Sequence, residues 1–62
     1  MLIPIERKAR EPVAAQIAAY LRRAIEAGRL EPGSKLEPIR VLAKQLGLNR
    51  ETVATAYREL EQ

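Results

Sequence analysis

Leu42-Ala43-Lys44-Gln45-Leu46-Gly47-Leu48-Asn49-Arg50-Glu51-Thr52-Val53 sets two short helical patterns on either side of Gly47-Leu48-Asn49. Helices that cross steeply over a turn of three or four residues make local demands on sequence. A small residue must sit where they approach most closely, and Ala43 is there. A residue tolerant of positive φ must open the turn, and Gly47 is there. Apolar residues must flank the joint, as Leu42, Leu46, Leu48 and Val53 do. An ordinary helical hairpin also wants a glycine turn, but it does not so readily demand this alanine, glycine, leucine and asparagine together. The stretch reads as a helix-turn-helix.

Working outward, the second helix is expected at about 38–46, with Pro38 at its start and Ile39, Leu42, Ala43 and Leu46 as its buried stripe. The third is expected at about 50–62. Asn49 supplies an oxygen for an exposed first-turn amide, and Val53, Ala56, Tyr57 and Leu60 recur at i, i+3, i+4 and i+7. Upstream, 12–27 predicts a first helix opening on Pro12 and stopping at Gly28, with Glu11 near the positive end of its dipole. Its stripe is Val13, Ile17, Tyr20, Leu21, Ala24 and Ile25, and its arginines, Arg22 and Arg23, read as a solvated face. Between the first two helices, Pro32-Gly33-Ser34 is a turn, and Leu30 and Leu36 plug the loop ends into the core. One glycine there is too little for a nucleotide cradle.

Residues 1–11 form an extended lead-in, since Pro4 argues against helix. This segment is either a tail or short edge strand lying on the domain, or a basic arm in which Arg7, Lys8 and Arg10 touch a nucleic-acid backbone. The fold expected is all-α, a three-helix bundle in one domain spanning 1–62.

A chain of 62 residues leaves no room for a second domain. It has no cysteine, histidine, phenylalanine or tryptophan, so neither disulfides nor the common zinc sites staple it. Its core must be aliphatic. Eleven basic against eight acidic residues give a net charge of +3, a mild bias toward polyanions. No apolar run is long enough for a bilayer and no signal-peptide pattern appears, so a soluble cytoplasmic protein is expected. Mixed charges and alanine-rich stripes disfavour a membrane-surface helix. Catalysis is not expected, because Ser34 has no histidine partner and no carboxylate pair sits in an apolar pattern. Neither cofactor nor metal is implied.

With the apolar stripe of the third helix turned inward, its opposite face carries Arg50, Glu51, Ala54, Thr55 and Arg58. That composition suits a DNA major groove. Arg50 can donate twice to a guanine edge, Thr55 can bond a base or meet a thymine methyl, and Glu51 can accept from cytosine. Ala54 lets the helix approach closely. The plainer alternatives are solvated charge for Arg50 and Arg58 and a dipole partner for Glu51. Lys35 and Arg40 lie near the start of the second helix, where such motifs cross the phosphate backbone. Lys44 is open to the same phosphate contact, but reads first as solvated surface.

These residues resemble the GntR family of bacterial regulators across nearly the whole chain. The resemblance runs through Pro12-Val13, Gln16-Ile17, Leu21-Arg22-Arg23-Ala24-Ile25, Gly28-Arg29-Leu30 and Pro32-Gly33-Ser34-Lys35-Leu36. It continues through Arg40-Val41-Leu42-Ala43-Lys44-Gln45-Leu46-Gly47-Leu48. Thr52-Val53 and Ala56-Tyr57-Arg58-Glu59-Leu60-Glu61 look most like the family's YtrA and MocR branches. The resemblance implies a winged helix-turn-helix that binds double-stranded operators as a homodimer, with Arg40, Asn49, Arg50 and Thr52 against DNA. A two-fold dimer in turn implies a palindromic operator. Thr52 equally suits bracing its own helix.

Two departures stand out. Glu37-Pro38-Ile39 occupies the place where the family carries a proline and a small hydroxyl residue, so a phosphate-binding hydroxyl is missing. The sequence also stops at Gln62, where the family continues into a hairpin wing, so a piece of a longer regulator is expected. Any effector would then act only through a further domain. The competing reading is a small protein-interaction or dimerisation module; its binding would respond much less to salt than DNA binding would.

Overall fold

The computed structural model describes residues 2–30 and 36–61; the turn at Pro32-Gly33-Ser34 and Lys35 lie outside the described residues. Three helices form where the apolar residues recur at helical spacing: α1 (Val13–Glu26), α2 (Ile39–Leu46) and α3 (Arg50–Leu60). No strand occurs among the described residues. The fold is all-α, as the patterning predicts.

Both proline-led helices begin one residue later than expected. Pro12 (φ −57°, ψ 148°) and Pro38 (φ −56°, ψ 146°) stand before the first helical residue, not in it. Proline fixes φ at a helix-compatible value but leaves ψ free, and here ψ is still extended. Each proline carbonyl nevertheless accepts the first helical bond, from Gln16 N–H at 3.1 Å and from Leu42 N–H at 3.1 Å.

α3 packs against both other helices. Ile17, Leu21, Leu42, Ala43, Val53 and Ala56 form the centre of the core, joined by Ile3 from the lead-in. No polar or charged residue is buried among the described residues. Full burial of a side chain such as Ile17 or Leu42 stabilises by about 1.5–3 kcal/mol, so these few aliphatics carry most of the fold. Ala43 and Ala56, both buried, keep side-chain bulk out of the helix contacts. Leu30, Leu36, Ile39, Leu46, Leu48 and Tyr57 seal the edges.

Arg22 is exposed, as a solvated face predicts, but it also makes a specific bond. Its Nη2 donates to the Glu59 carbonyl at 3.1 Å, tying α1 to the last turn of α3. A cation beside unpaired carbonyls at a helix C-terminus is favourable.

Two glycines end helices in the left-handed region, Gly28 at φ 79° and Gly47 at φ 68°. At Gly47 the bonds form a complete Schellman pair. Leu48 N–H reaches the Ala43 carbonyl at 2.9 Å and Gly47 N–H reaches the Lys44 carbonyl at 3.3 Å. A Cβ at Gly47 would meet only Arg7 Nη2, at 4.0 Å, so space is not the constraint. The constraint is the positive φ. Gly47→Ala should therefore destabilise by about 1–2 kcal/mol, lowering the thermal midpoint by roughly 4–8 °C per kcal/mol. Gly47→Asn should recover part of the loss, because asparagine visits this conformation more readily. An alanine variant melting with the parent in a circular-dichroism scan would remove the left-handed turn as the organising feature.

Candidate nucleic-acid interface

The turn delivers Asn49 in extended conformation (φ −79°, ψ 160°) at the head of α3. Asn49 Oδ1 accepts from the Thr52 amide at 2.8 Å and from the Thr52 hydroxyl at 2.9 Å. The cap predicted from sequence is therefore present. Thr52 braces its own helix, the second of the roles open to it, and its hydroxyl proton is committed to Asn49. Both lone-pair directions of that oxygen are engaged, which leaves the Asn49 side-chain amide to face outward as a donor.

Arg50, the first residue of α3, is exposed and has no hydrogen-bond or ion-pair partner among the described residues. It shares a shallow cleft with Arg40 and Lys44 of α2, floored by Ala43 and Leu48 and bounded by Asn49. Three cationic side chains thus line one cleft, with no carboxylate among the described residues that line it. Lys44 lines the same cleft, which gives a place to the lesser of the two readings its sequence context allowed. The available signal was its spacing, since Lys44 follows Arg40 by four residues and so shares its helix face.

The other side of α3 is wired differently. Arg58 Nη2 donates to Glu51 Oε1 at 3.1 Å and to Thr55 Oγ1 at 3.1 Å, joining residues one and two turns apart. Glu51 and Arg58 remain largely open to water, with side chains 79% and 61% exposed. An ion pair so exposed contributes about 0–1 kcal/mol and is readily exchanged for another partner. Glu51, Thr52 and Thr55 line a second groove, whose far wall is Pro12, Val13 and Ala14 at the start of α1. Ala54 and Thr55 are half-buried, so this face is less open than the pattern suggested.

The predicted residues therefore fall into two groups. Arg40 and Arg50 meet in the basic cleft, with Asn49 at its edge; Glu51, Thr55 and Arg58 form one bonded set behind them, and Thr52 supports the cap. Lys35 lies outside the described residues. Among the described residues no cluster of carboxylates is placed to hold a metal ion, and no helix is long and apolar enough to cross a membrane.

Periodicity also missed Tyr57 as more than core. Its hydroxyl donates to the Glu37 carbonyl at 2.6 Å, pinning α3 to the approach of α2. Burial, and secondarily the Glu37 charge, push the phenol above its ordinary 10.0.

The comparisons with known proteins agree with this geometry. Residues 13–62 match the profile of the bacterial regulatory proteins of the gntR family. The chain belongs to the GntR family. It is 44% identical over 57 residues to the HTH-type transcriptional regulator Rv1152 of Mycobacterium tuberculosis, covering 92% of this chain and 47% of that protein. It is 35% identical over 60 residues to the HTH-type transcriptional repressor YtrA of Bacillus subtilis, covering 97% and 46% respectively. This GntR-family chain thus spans about half the length of those relatives. The solved structure of YtrA from Sulfolobus acidocaldarius, a GntR-family transcription factor, superposes with a TM-score of 0.90 at 42% identity, over 97% of this chain and 64% of that one.

Two measurements check the local geometry. Asn49→Ala removes both accepted bonds and should cost about 1 kcal/mol of stability, whereas Asn49→Asp keeps the acceptor, adds charge at the favourable helix end and should melt at or above the parent. Alanine and aspartate variants of equal midpoint would contradict the cap. For Tyr57, a phenol pKa raised on folding contributes stability that is whole below pH 10 and lost as pH rises through the folded value. Tyr57→Phe should therefore cost about 0.5–1.5 kcal/mol near neutrality. The gap to the parent should narrow above pH 10; a gap constant to higher pH would mean the hydroxyl bond is not what the variant loses.

Proposed function

We propose that this chain is the DNA-reading domain of a GntR-family transcription regulator, with α3 entering the major groove. The observation that carries the reading is Arg50. It sits exposed and unpaired among the described residues at the leading end of α3, beside Arg40 and Lys44. In this reading Arg50 donates to a guanine edge, while Arg40, Lys44 and the outward amide of Asn49 hold phosphates. Lys35 joins the phosphate contacts. Thr55 and Arg58 meet the next bases or phosphates once Arg58 exchanges Glu51 for DNA, and Glu51 is then freed to accept from a cytosine. Thr52 acts through Asn49, by fixing its rotamer.

Several wider features follow from the same reading. The parent protein acts in the cytoplasm as a repressor, the role printed in the name of the Bacillus subtilis relative. It binds as a homodimer to a palindromic operator, whose half-sites lie about one helical turn or a multiple of it apart. Effector control comes from a further domain of the parent protein, and the chain itself performs no catalysis. The absence of carboxylates among the described residues lining the cleft favours a polyanion over a protein partner.

Fluorescence anisotropy of a short duplex at several salt concentrations tests this directly. Affinity should fall steeply with salt, with a slope close to 0.9 per phosphate neutralised. Arg50→Ala should lose about 1–3 kcal/mol on the preferred site and relax preference at one base pair. Lys44→Ala should instead weaken all sequences alike and lower the slope by about 1. Salt-insensitive binding, or an Arg50→Ala protein with unchanged affinity and preference, would overturn the reading and return the third helix to a protein-interaction role.

A further inference from the structure

The core accounts for how only one end of the lead-in is held. Ile3 is buried in the core and Ile5 packs against it, so the segment is anchored at its beginning. Its far end is anchored by one side chain. Gln16 Oε1 accepts from the Glu6 amide at 2.8 Å, and Gln16 Nε2 donates to the carbonyls of Glu6 at 2.8 Å and Glu11 at 2.9 Å. Within this clamp the chain turns on itself: Ala9 N–H reaches the Glu6 carbonyl at 3.3 Å and Lys8 N–H reaches Glu6 Oε1 at 3.3 Å.

The clamp presents Arg7, Lys8 and Arg10, all exposed and none with a side-chain partner among the described residues. It also fixes where Arg7 stands. Arg7 Nη2 lies 4.0 Å from the position a Cβ on Gly47 would take, at the joint that launches α3. Just beyond the turn, Pro12 walls the same groove as Glu51 and Thr55. The basic turn is thus continuous with the face assigned to DNA. The three Gln16 bonds offset the roughly 1–2 kcal/mol per residue that ordering this backbone costs, so the turn is held in place before any partner arrives. Holding cations in advance at a fixed place lowers the cost of binding an anion there.

We infer that residues 7–10 form a second, sequence-independent phosphate contact on the DNA backbone flanking the α3 groove, with Gln16 as its positioning residue. The inference rests on the DNA-binding reading above. It assigns the turn affinity and not base preference, since Arg7 stands beside the joint and not along α3.

The test is the salt dependence of anisotropy with a short random-sequence duplex, on the chain itself, with folding at the assay temperature verified by circular dichroism. Arg7→Ala/Lys8→Ala/Arg10→Ala should lower the slope by about 2–3, at roughly 0.9 for each phosphate no longer neutralised. The Arg50 base preference should stay intact. Arg23→Ala, which removes an exposed charge near the other end of α1, should leave the slope unchanged. Gln16→Met retains every charge and similar bulk but none of the three bonds; its slope should fall with net charge constant, a result that charge alone does not produce. A parent protein that binds steeply with salt, beside a triple variant of equal slope, would overturn the contact and leave the α3 reading standing. A Gln16→Met protein with the parent's slope would remove the positioning role. A parent without salt-dependent binding would overturn both readings.

Discussion

The left-handed residue at Gly47 is the constraint on which the rest of the architecture depends. Its positive φ turns the chain sharply enough that Leu48 can close back on the Ala43 carbonyl while its side chain joins the core edge. The next residue is then released in extended conformation, the geometry an N-cap requires. Asn49 can therefore capture the first turn of α3, and Arg50 leaves that turn toward the cleft shared with Arg40 and Lys44. A residue unable to hold this conformation would disturb the cap, the helix direction and the cationic cleft together.

The core supports this joint with unusual economy. It contains no buried polar or charged residue among the described residues, and its central members are aliphatic or alanine. Specific orientation comes instead from polar ties around the rim: Tyr57 to the Glu37 carbonyl, Arg22 to the Glu59 carbonyl and Gln16 to the lead-in. Each joins an element to a distant backbone group without placing a charge in the interior, where desolvation would be costly. α3 is gripped near both ends, by its cap and by Arg22, and that fixes the register of whatever its outer face meets.

Much of this was legible in the sequence, for reasons that are local. The three helices follow from apolar spacing, and the joint from alanine, glycine and asparagine at fixed offsets. The Asn49 cap was legible because it spans only three residues. What lay beyond reach depended on distance or on a free dihedral. Pro12 and Pro38 precede their helices by one residue because proline specifies φ and not ψ. The roles of Arg22, Gln16 and Tyr57 were hidden because their partners are main-chain carbonyls, which every residue possesses and no motif marks. Lys44 was half visible: its spacing from Arg40 placed both on one face, but only the crossing of α2 and α3 added Arg50 to them. For residues 1–11 the structure shows a docked segment, held by Ile3, with Arg7, Lys8 and Arg10 left exposed.

The charges on α3 are divided in a way that bears on how affinity and preference would arise in the proposed complex. Arg50 enters without having to surrender a partner, so its interaction with an anion or a guanine edge is offset only by its own desolvation and ordering. Arg58 starts from a bond to Glu51 and must exchange it, but that pair is open to water and worth little. Exchange is inexpensive where a base can accept from Arg58 and donate to the released Glu51. It is costly where Glu51 is left facing phosphate or a base acceptor without a partner. The same carboxylate that reduces the net attraction of this face to DNA thereby penalises the wrong sequence more than the right one. On a chain with a net charge of only +3, discrimination of that kind is worth more than further indiscriminate attraction.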